Sequence, residues 1–149
     1  MGRKHDMERL REAARIRDLQ RTAAEAAAAH AGQVLREKQA AKIEQERACR
    51  AAEADWHAFL AAPRLRFETM AMFRGALIRG DDQVRRAAAD VDNASSILMH
   101  RAELWRTAIH RHDAAQDLVR KMERRRARRG EEEALQDGSD LILQRWMRR

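Results

Sequence analysis

Hydrophobic positions recur every seven residues in the second half of the chain. The main row consists of Val84, Val91, Leu98, Trp105, His112 and Val119. A weaker row lies between them, at Ala88, Ser95, Ala102, Ile109 and Gln116. A seven-residue spacing kept over several repeats is typical of a coiled-coil seam rather than of the broad apolar face of a globular helix. We therefore predict a second long helix over residues 81–136, with the main row as its seam and His112 as a polar position that fixes its register.

The first half of the chain predicts another long helix, over residues 1–62. Its apolar positions are mostly Ala and show no such strict spacing, but small side chains allow two helices to approach closely. Pro63 is expected to end this helix, because proline lacks the amide hydrogen and disfavours helix in the residue before it.

Two shorter segments complete the pattern. Residues 63–80 are predicted to form a connecting tip with a short helical segment, which Gly80 ends as a C-terminal cap. Residues 137–149, after Gly138, are predicted to form a C-terminal tail. The expected fold is all-α: a single coiled-coil domain built as a long antiparallel two-helix hairpin, about 90 Å long, with the short helical segment at its bend and both termini at the other end.

The composition supports thin helices rather than a compact globule. The chain has 149 residues, of which 30 are Ala and only 25 are Leu, Ile, Val or Phe, too few for the core of a compact domain of this size. No stretch approaches 18 apolar residues, so no membrane-spanning helix is expected. No hydrophobic leader is visible, and the single Cys49 excludes an internal disulfide and fits a reducing compartment.

The residues give little support to catalysis or to metal binding. None of the three serines stands in a glycine-rich nucleophile elbow, and no phosphate-binding loop is present. His110 and His112, two residues apart on a helix, point about 200° apart and cannot share a metal ion. We expect a protein that is not an enzyme and has no cofactor and no metal site.

The strongest charge feature is the run from Arg120 to Arg129, which has seven basic residues and one acid. One interpretation is a solvated helix surface compensated by the acids at 131–133. The others are contact with an acidic protein pore and contact with nucleic acid. No DNA-reading module surrounds the run, and no interleaved aromatic residues suggest stacking on single strands. A basic helical nucleic-acid-binding protein and a generic coiled-coil scaffold that dimerises through its Ala-rich face remain alternatives.

The connecting tip carries an apolar group at helical spacing: Phe67, Met70, Phe73 and Leu77. These side chains can fold back on Trp56, Phe59 and Leu60 and close the bend. They can also form an exposed apolar patch for a partner. Both can hold at once, because a thin tip cannot bury every face.

The second helix also carries the pattern Trp-x-x-Ala-x-x-Arg, at Trp105, Ala108 and Arg111. A basic and acidic helix end follows, with Leu118, Lys121 and the stretch 123–126. This stretch resembles the second long helix of the flagellar export protein FliJ and of its injectisome relatives of the YscO type. The opening of the chain, with Leu10-Arg11 running into an Ala-rich helix, is similar to the start of the same family.

The resemblance implies a non-enzymatic central stalk of a bacterial type III protein export apparatus, in a flagellar or an injectisome system. Proteins of this family are antiparallel coiled coils that insert the end with both termini into the pore of a hexameric export ATPase. They also contact the cytoplasmic domain of the export gate and are linked to export chaperones. The expected location is cytoplasmic, at the inner-membrane export apparatus and peripheral to the membrane through partners only, with no nucleic-acid partner.

We assign two contact surfaces on this basis. The predicted ATPase contact consists of Arg11, Arg15, Arg124, Arg125, Arg128 and Arg129. The predicted contact with the export gate is the tip group Phe67, Met70, Phe73 and Leu77.

Overall fold

The computed structural model describes residues 2–64 and 66–147, and over these residues it contains two helices and no strand. Helix α1 is Gly2–Leu60 and helix α2 is Phe67–Met147. The predicted all-α class is confirmed for this part of the chain. Its abundance of Ala, Arg, Glu, Gln and Leu, the residues with the highest helix propensities, explains why both helices are long. Neither helix, as described, has a stretch long and apolar enough to cross a membrane.

Helix α1 ends close to the predicted position. The amide of Ala61 still donates a hydrogen bond to the carbonyl of His57, at 3.2 Å, which closes the last turn. Pro63 follows two residues later and has no amide with which to continue the helix.

The predicted break at Gly80 is wrong, because α2 runs through both Gly80 and Gly138. None of the described glycines has a positive φ, so Gly80 does not adopt the left-handed conformation of a helix cap. A Cβ added at Gly80 would lie 3.4 Å from Sγ of Cys49 on α1. Gly80 therefore allows a close approach of the two helices inside a continuous helix, and residues 67–80 are the first turns of α2 rather than a separate helical segment.

Replacing Gly80 by Ala tests this correction. In a helical conformation, Ala is expected to raise the free energy of unfolding by up to about 0.5 kcal/mol, since a higher helix propensity is partly offset by the contact with Cys49. Gly130→Ala is the matched control, because no atom lies within 4 Å of a Cβ added there, and we expect a gain of about 0.5–1 kcal/mol. Urea unfolding followed by circular dichroism measures the stability of both variants. If Gly80→Ala alone lowered the free energy of unfolding by about 1 kcal/mol, Gly80 would act as a helix cap after all.

The chain divides into two compact units. The terminal unit comprises the described residues of Met1–Ala23 and Arg106–Arg149, and the central unit is Ala24–Trp105. In the central unit, Nζ of Lys38 lies 2.9 Å from a carboxylate oxygen of Asp90, while Gly80 lies against Cys49. A residue that comes later in α1 therefore contacts a residue that comes earlier in α2, so the two helix segments of this unit are antiparallel.

The terminal unit has the same antiparallel arrangement. Nη2 of Arg11 lies 2.8 Å from Oε1 of Glu123, and Nε2 of His112 lies 3.6 Å from Oδ1 of Asp18. Asp18 comes later in α1 than Arg11, and its partner His112 comes earlier in α2 than Glu123.

The less exposed positions of both helices follow a seven-residue spacing. On α2 the fully or partly buried row contains every predicted seam residue and begins two repeats earlier; it consists of Met70, Leu77, Val84, Val91, Leu98, Trp105, His112 and Val119. On α1 an equivalent row consists of Met7, Ala14, Arg21, Ala28, Leu35, Lys42, Cys49 and Trp56. The expectation that the first helix lacks strict spacing is therefore wrong. Ala14, Ala28 and the partly buried Arg21 and Lys42 occupy positions that a pattern of bulky apolar residues does not reveal.

Small side chains dominate the interior. Among the side chains that the structure describes, the buried apolar ones are Met7, Ala14, Ala28, Ala31, Ala94 and Val119, and four of these six are Ala. This agrees with a chain that has few bulky residues and packs helix against helix, without a thick core.

Candidate functional site

The predicted ATPase-contact arginines all lie exposed in the terminal unit. Arg15 is on α1, and Arg124, Arg125, Arg128 and Arg129 are on α2. No ion pair joins any of these five to another described residue. Their charges are thus available to a partner.

Arg11 differs from the other predicted contacts because it is already paired. Its guanidinium donates a 2.8 Å hydrogen bond to the carboxylate of Glu123 across the two helices. An exposed pair of this kind contributes about 0.2–1 kcal/mol. Arg11 therefore joins α1 to α2 next to the arginine run, and a partner would have to share or displace it.

A concave groove of about 490 Å³ lies between α1 and α2 in the same unit. Asp6 and Met7 of α1 line one wall. The α2 wall consists of Met122, Arg125, Arg126, Arg129, Gly130 and Glu133. These six positions are spaced 0, 3, 4, 7, 8 and 11 residues from Met122, so they share one helix face.

The groove joins residues that the predicted contact set contains with residues that it omits. Arg125 and Arg129 are predicted contacts, whereas Arg126, Met7 and Met122 are not. Two of the omitted residues leave a sequence signal, because Met7 stands seven residues before the buried Ala14 and Met122 follows the buried Val119 by three. Their meeting across two helices depends on pairing over more than one hundred residues, which spacing on one helix cannot reveal.

The predicted polar seam residue His112 lies in a small charged layer of the terminal unit. Its side chain is about one-fifth exposed. Its Nε2 faces Oδ1 of Asp18 at 3.6 Å, and Asp18 also accepts a 3.0 Å hydrogen bond from Nη2 of Arg21. A polar layer of this kind favours one register of two paired helices over registers that would leave its charges unpaired.

The predicted tip residues divide into inward and outward groups in the central unit. The Phe73 ring lies 5.1 Å from the ring of Phe59 and 6.1 Å from that of Trp56, measured between centroids. Met70 and Leu77 are half-buried. Phe73 therefore packs against α1, as the alternative of a closed bend predicts.

Phe67 alone of the four predicted tip residues is open, with 87% of its surface exposed. Met72 and Ile78, which the predicted set omits, are exposed as well. Met72 also lines a shallow groove of about 450 Å³ with Ala76 and Arg79. The accessible apolar surface of this part of α2 thus differs from the predicted one.

Two further features lie outside the predicted sites. The indole Nε1 of Trp105 is buried and has no hydrogen-bond partner within the described part of the chain. The last turns of α2 expose five large apolar side chains, namely Leu135, Ile142, Leu143, Trp146 and Met147.

Comparison with known proteins assigns no role to these surfaces. No protein family matches the chain, and neither a curated protein nor a solved structure matches it significantly. Within residues 2–64 and 66–147, no group of three or more His, Cys, Asp or Glu side chains is placed to hold a metal ion.

Proposed function

We propose that the chain is a non-enzymatic stalk of a bacterial type III protein export apparatus and that its terminal unit enters the pore of the hexameric export ATPase. The observation that carries the proposal is the unpaired surface of Arg15, Arg124, Arg125, Arg128 and Arg129. It lies on the unit that contains the N-terminal and C-terminal segments, where the family resemblance places the ATPase contact. Guanidinium groups that form no ion pair with another described residue suit an acidic lumen, and exposed ion pairs are individually weak enough to let a stalk shift.

The two helices, in this proposal, pair as an antiparallel coiled coil. Seven-residue rows of fully or partly buried positions on both α1 and α2 support it. So does the opposed direction of the helix segments within each unit. A narrow two-helix seam of this kind needs fewer bulky residues than a globular core.

The second contact of the proposed stalk is with the cytoplasmic domain of the export gate. The exposed ring of Phe67 is the best candidate for it, whereas Met70, Phe73 and Leu77 are half-buried. Export chaperones are further proposed partners. The stalk would reach the inner membrane only through these partners.

Charge reversal tests the ATPase contact. The triple variant Arg124→Glu, Arg125→Glu and Arg128→Glu is expected to weaken binding to the purified cognate ATPase at least about tenfold and to abolish stimulation of its turnover. The matched control reverses three exposed arginines of the central unit, Arg50, Arg74 and Arg86. Equal binding and stimulation by both triples would show that the assigned surface is wrong.

Two measurements separate the proposed stalk from its rivals. A basic nucleic-acid-binding protein would shift unrelated DNA duplexes at about 150 mM salt and lose affinity steeply as salt rises, whereas we expect no shift. A coiled-coil scaffold would sediment as a dimer, whereas we expect a monomer.

A further inference from the structure

We propose that the groove between α1 and α2 in the terminal unit is the docking site for an acidic protein segment that inserts an apolar side chain between Met7 and Met122. The arginine guanidinium groups of the groove would bind carboxylates of the segment on either side of that apolar side chain. The inference deepens the proposed function, because it names the chemistry of the partner segment. It rests on that function only in one respect, namely that the export ATPase is the protein that supplies the segment.

The floor of the groove is apolar and adaptable. Met7 is only 5% exposed and Met122 is half-buried, so both hold the two helices together and still line the groove. Methionine side chains are flexible and polarizable, and they adapt to apolar groups of different shape. A volume of about 490 Å³ is in the range of about 300–1,000 Å³ that is typical of ligand-binding clefts.

The wall of the groove supplies positive charge in a regular arrangement. Arg125 and Arg129 are one turn apart on α2, and Arg126 is next to Arg125 on the same side of the helix. Asp6 and Glu133 also line the groove, yet neither forms an ion pair with these arginines among the described residues. The three guanidinium groups therefore keep donors for carboxylates, for which their planar geometry is well suited.

Gly130 keeps one side of the groove open. No atom lies within 4 Å of a Cβ added at this position, and the glycine itself lines the groove. A large side chain at position 130 would consequently project into the space that the partner needs, and it would change no charge.

The combination favours a peptide over a nucleic acid. Phosphodiesters would satisfy the arginines but would leave the methionine floor without an apolar partner. An acidic segment with an apolar side chain satisfies both parts of the groove.

The test uses a labelled helical peptide of alternating Glu and Leu pairs, with polyglutamate and a DNA duplex as comparison probes. Fluorescence anisotropy measures affinity, and the methyl NMR signals of methionine report the place of binding. We expect the Glu/Leu peptide to bind at least about tenfold more tightly than polyglutamate, because only it fills the apolar floor. The signals of Met7 and Met122 should shift, while those of the exposed Met72 and Met99 in the central unit should not.

Two matched pairs of variants locate the site. Arg125→Gln, Arg126→Gln and Arg129→Gln together should weaken peptide binding about tenfold or more. Arg50→Gln, Arg74→Gln and Arg86→Gln, which remove the same charge from exposed positions of the central unit, should weaken it less than about threefold. Gly130→Phe should abolish binding, whereas Gly138→Phe, at another open glycine of α2, should not.

The outcomes distinguish this inference from the proposed function. Any one of four results would show that the groove is not the docking site. These are equal losses of peptide affinity in the two arginine triples, equal binding of polyglutamate and of the Glu/Leu peptide, tighter binding of the duplex, and unchanged Met7 and Met122 signals. If the peptide behaves as expected but the wild-type chain does not bind the export ATPase, the groove stands and the stalk function fails. If the ATPase binds wild type and the Gly130→Phe variant equally, the function stands and the groove fails.

Discussion

Replacing Phe73 by Ala is expected to lower the free energy of unfolding by about 2–3 kcal/mol. Its ring contacts those of Trp56 and Phe59, with centroid distances of 6.1 and 5.1 Å, and these two rings also contact each other. The substitution removes buried apolar area together with two aromatic contacts, each of which contributes about 0.5–1.5 kcal/mol beyond area. Phe73 is only half-buried, so the loss should fall below that of a fully enclosed ring.

Phe67→Ala is the matched control, since it makes the same chemical change six residues away on the same helix. Phe67 is 87% exposed, and its replacement should change stability by less than about 0.5 kcal/mol. Urea unfolding followed by circular dichroism at 222 nm measures both variants. Equal losses would mean that Phe73 does not pack against α1, and the aromatic cluster would have to be abandoned.

The second large effect is expected at Ala94, which is 5% exposed and lies where α2 meets α1 in the central unit. Ala94→Asp should lower the free energy of unfolding by about 1–3 kcal/mol, because the added carboxylate loses part of its hydration at a buried position.

Ala89→Asp provides the control, because Ala89 is an exposed position of the same helix. It carries only the propensity cost of Asp, about 0.7 kcal/mol. The difference between the two urea midpoints isolates the packing of Ala94. Similar midpoints would show that Ala94 does not lie at the interface between the helices.

Much of the helical pattern could be predicted from the sequence, because bulky residues at seven-residue spacing report directly on the buried face of a helix. The row from Val84 to Val119 is an example, and Pro63 ends α1 for a reason that is local to the backbone. Gly80 could not be interpreted in the same way. Glycine serves both as a helix cap and as a point of close approach, and only the position of Cys49 on α1 decides between them.

The row on α1 was hidden for another reason. Two of its members are Ala and two are the charged residues Arg21 and Lys42, so a pattern of bulky apolar residues underestimates the row. Predicting the groove from the sequence would also require the register in which the two helices pair. Met7 and Met122 become neighbours only when the two helices pair in one register, which the layer of Asp18, Arg21 and His112 helps to set.

The predicted contact surfaces show the same limit. The sequence indicates an arginine-rich stretch, but it does not distinguish Arg126, which lines the groove, from Arg124, which does not. At the other site, helical spacing alone groups Phe67 with Phe73. The structure separates them because α1 covers one face of α2 and leaves the other open.

The most direct test of the stalk proposal is the stoichiometry of the complex with the export ATPase. A closed ring has one central pore on its symmetry axis, so a stalk in that pore binds once per ring. Analytical ultracentrifugation of the wild-type chain with the cognate ATPase, locked as a hexamer by a non-hydrolysable nucleotide, should give one chain per six ATPase subunits. Six chains per ring, or no complex, would contradict the account.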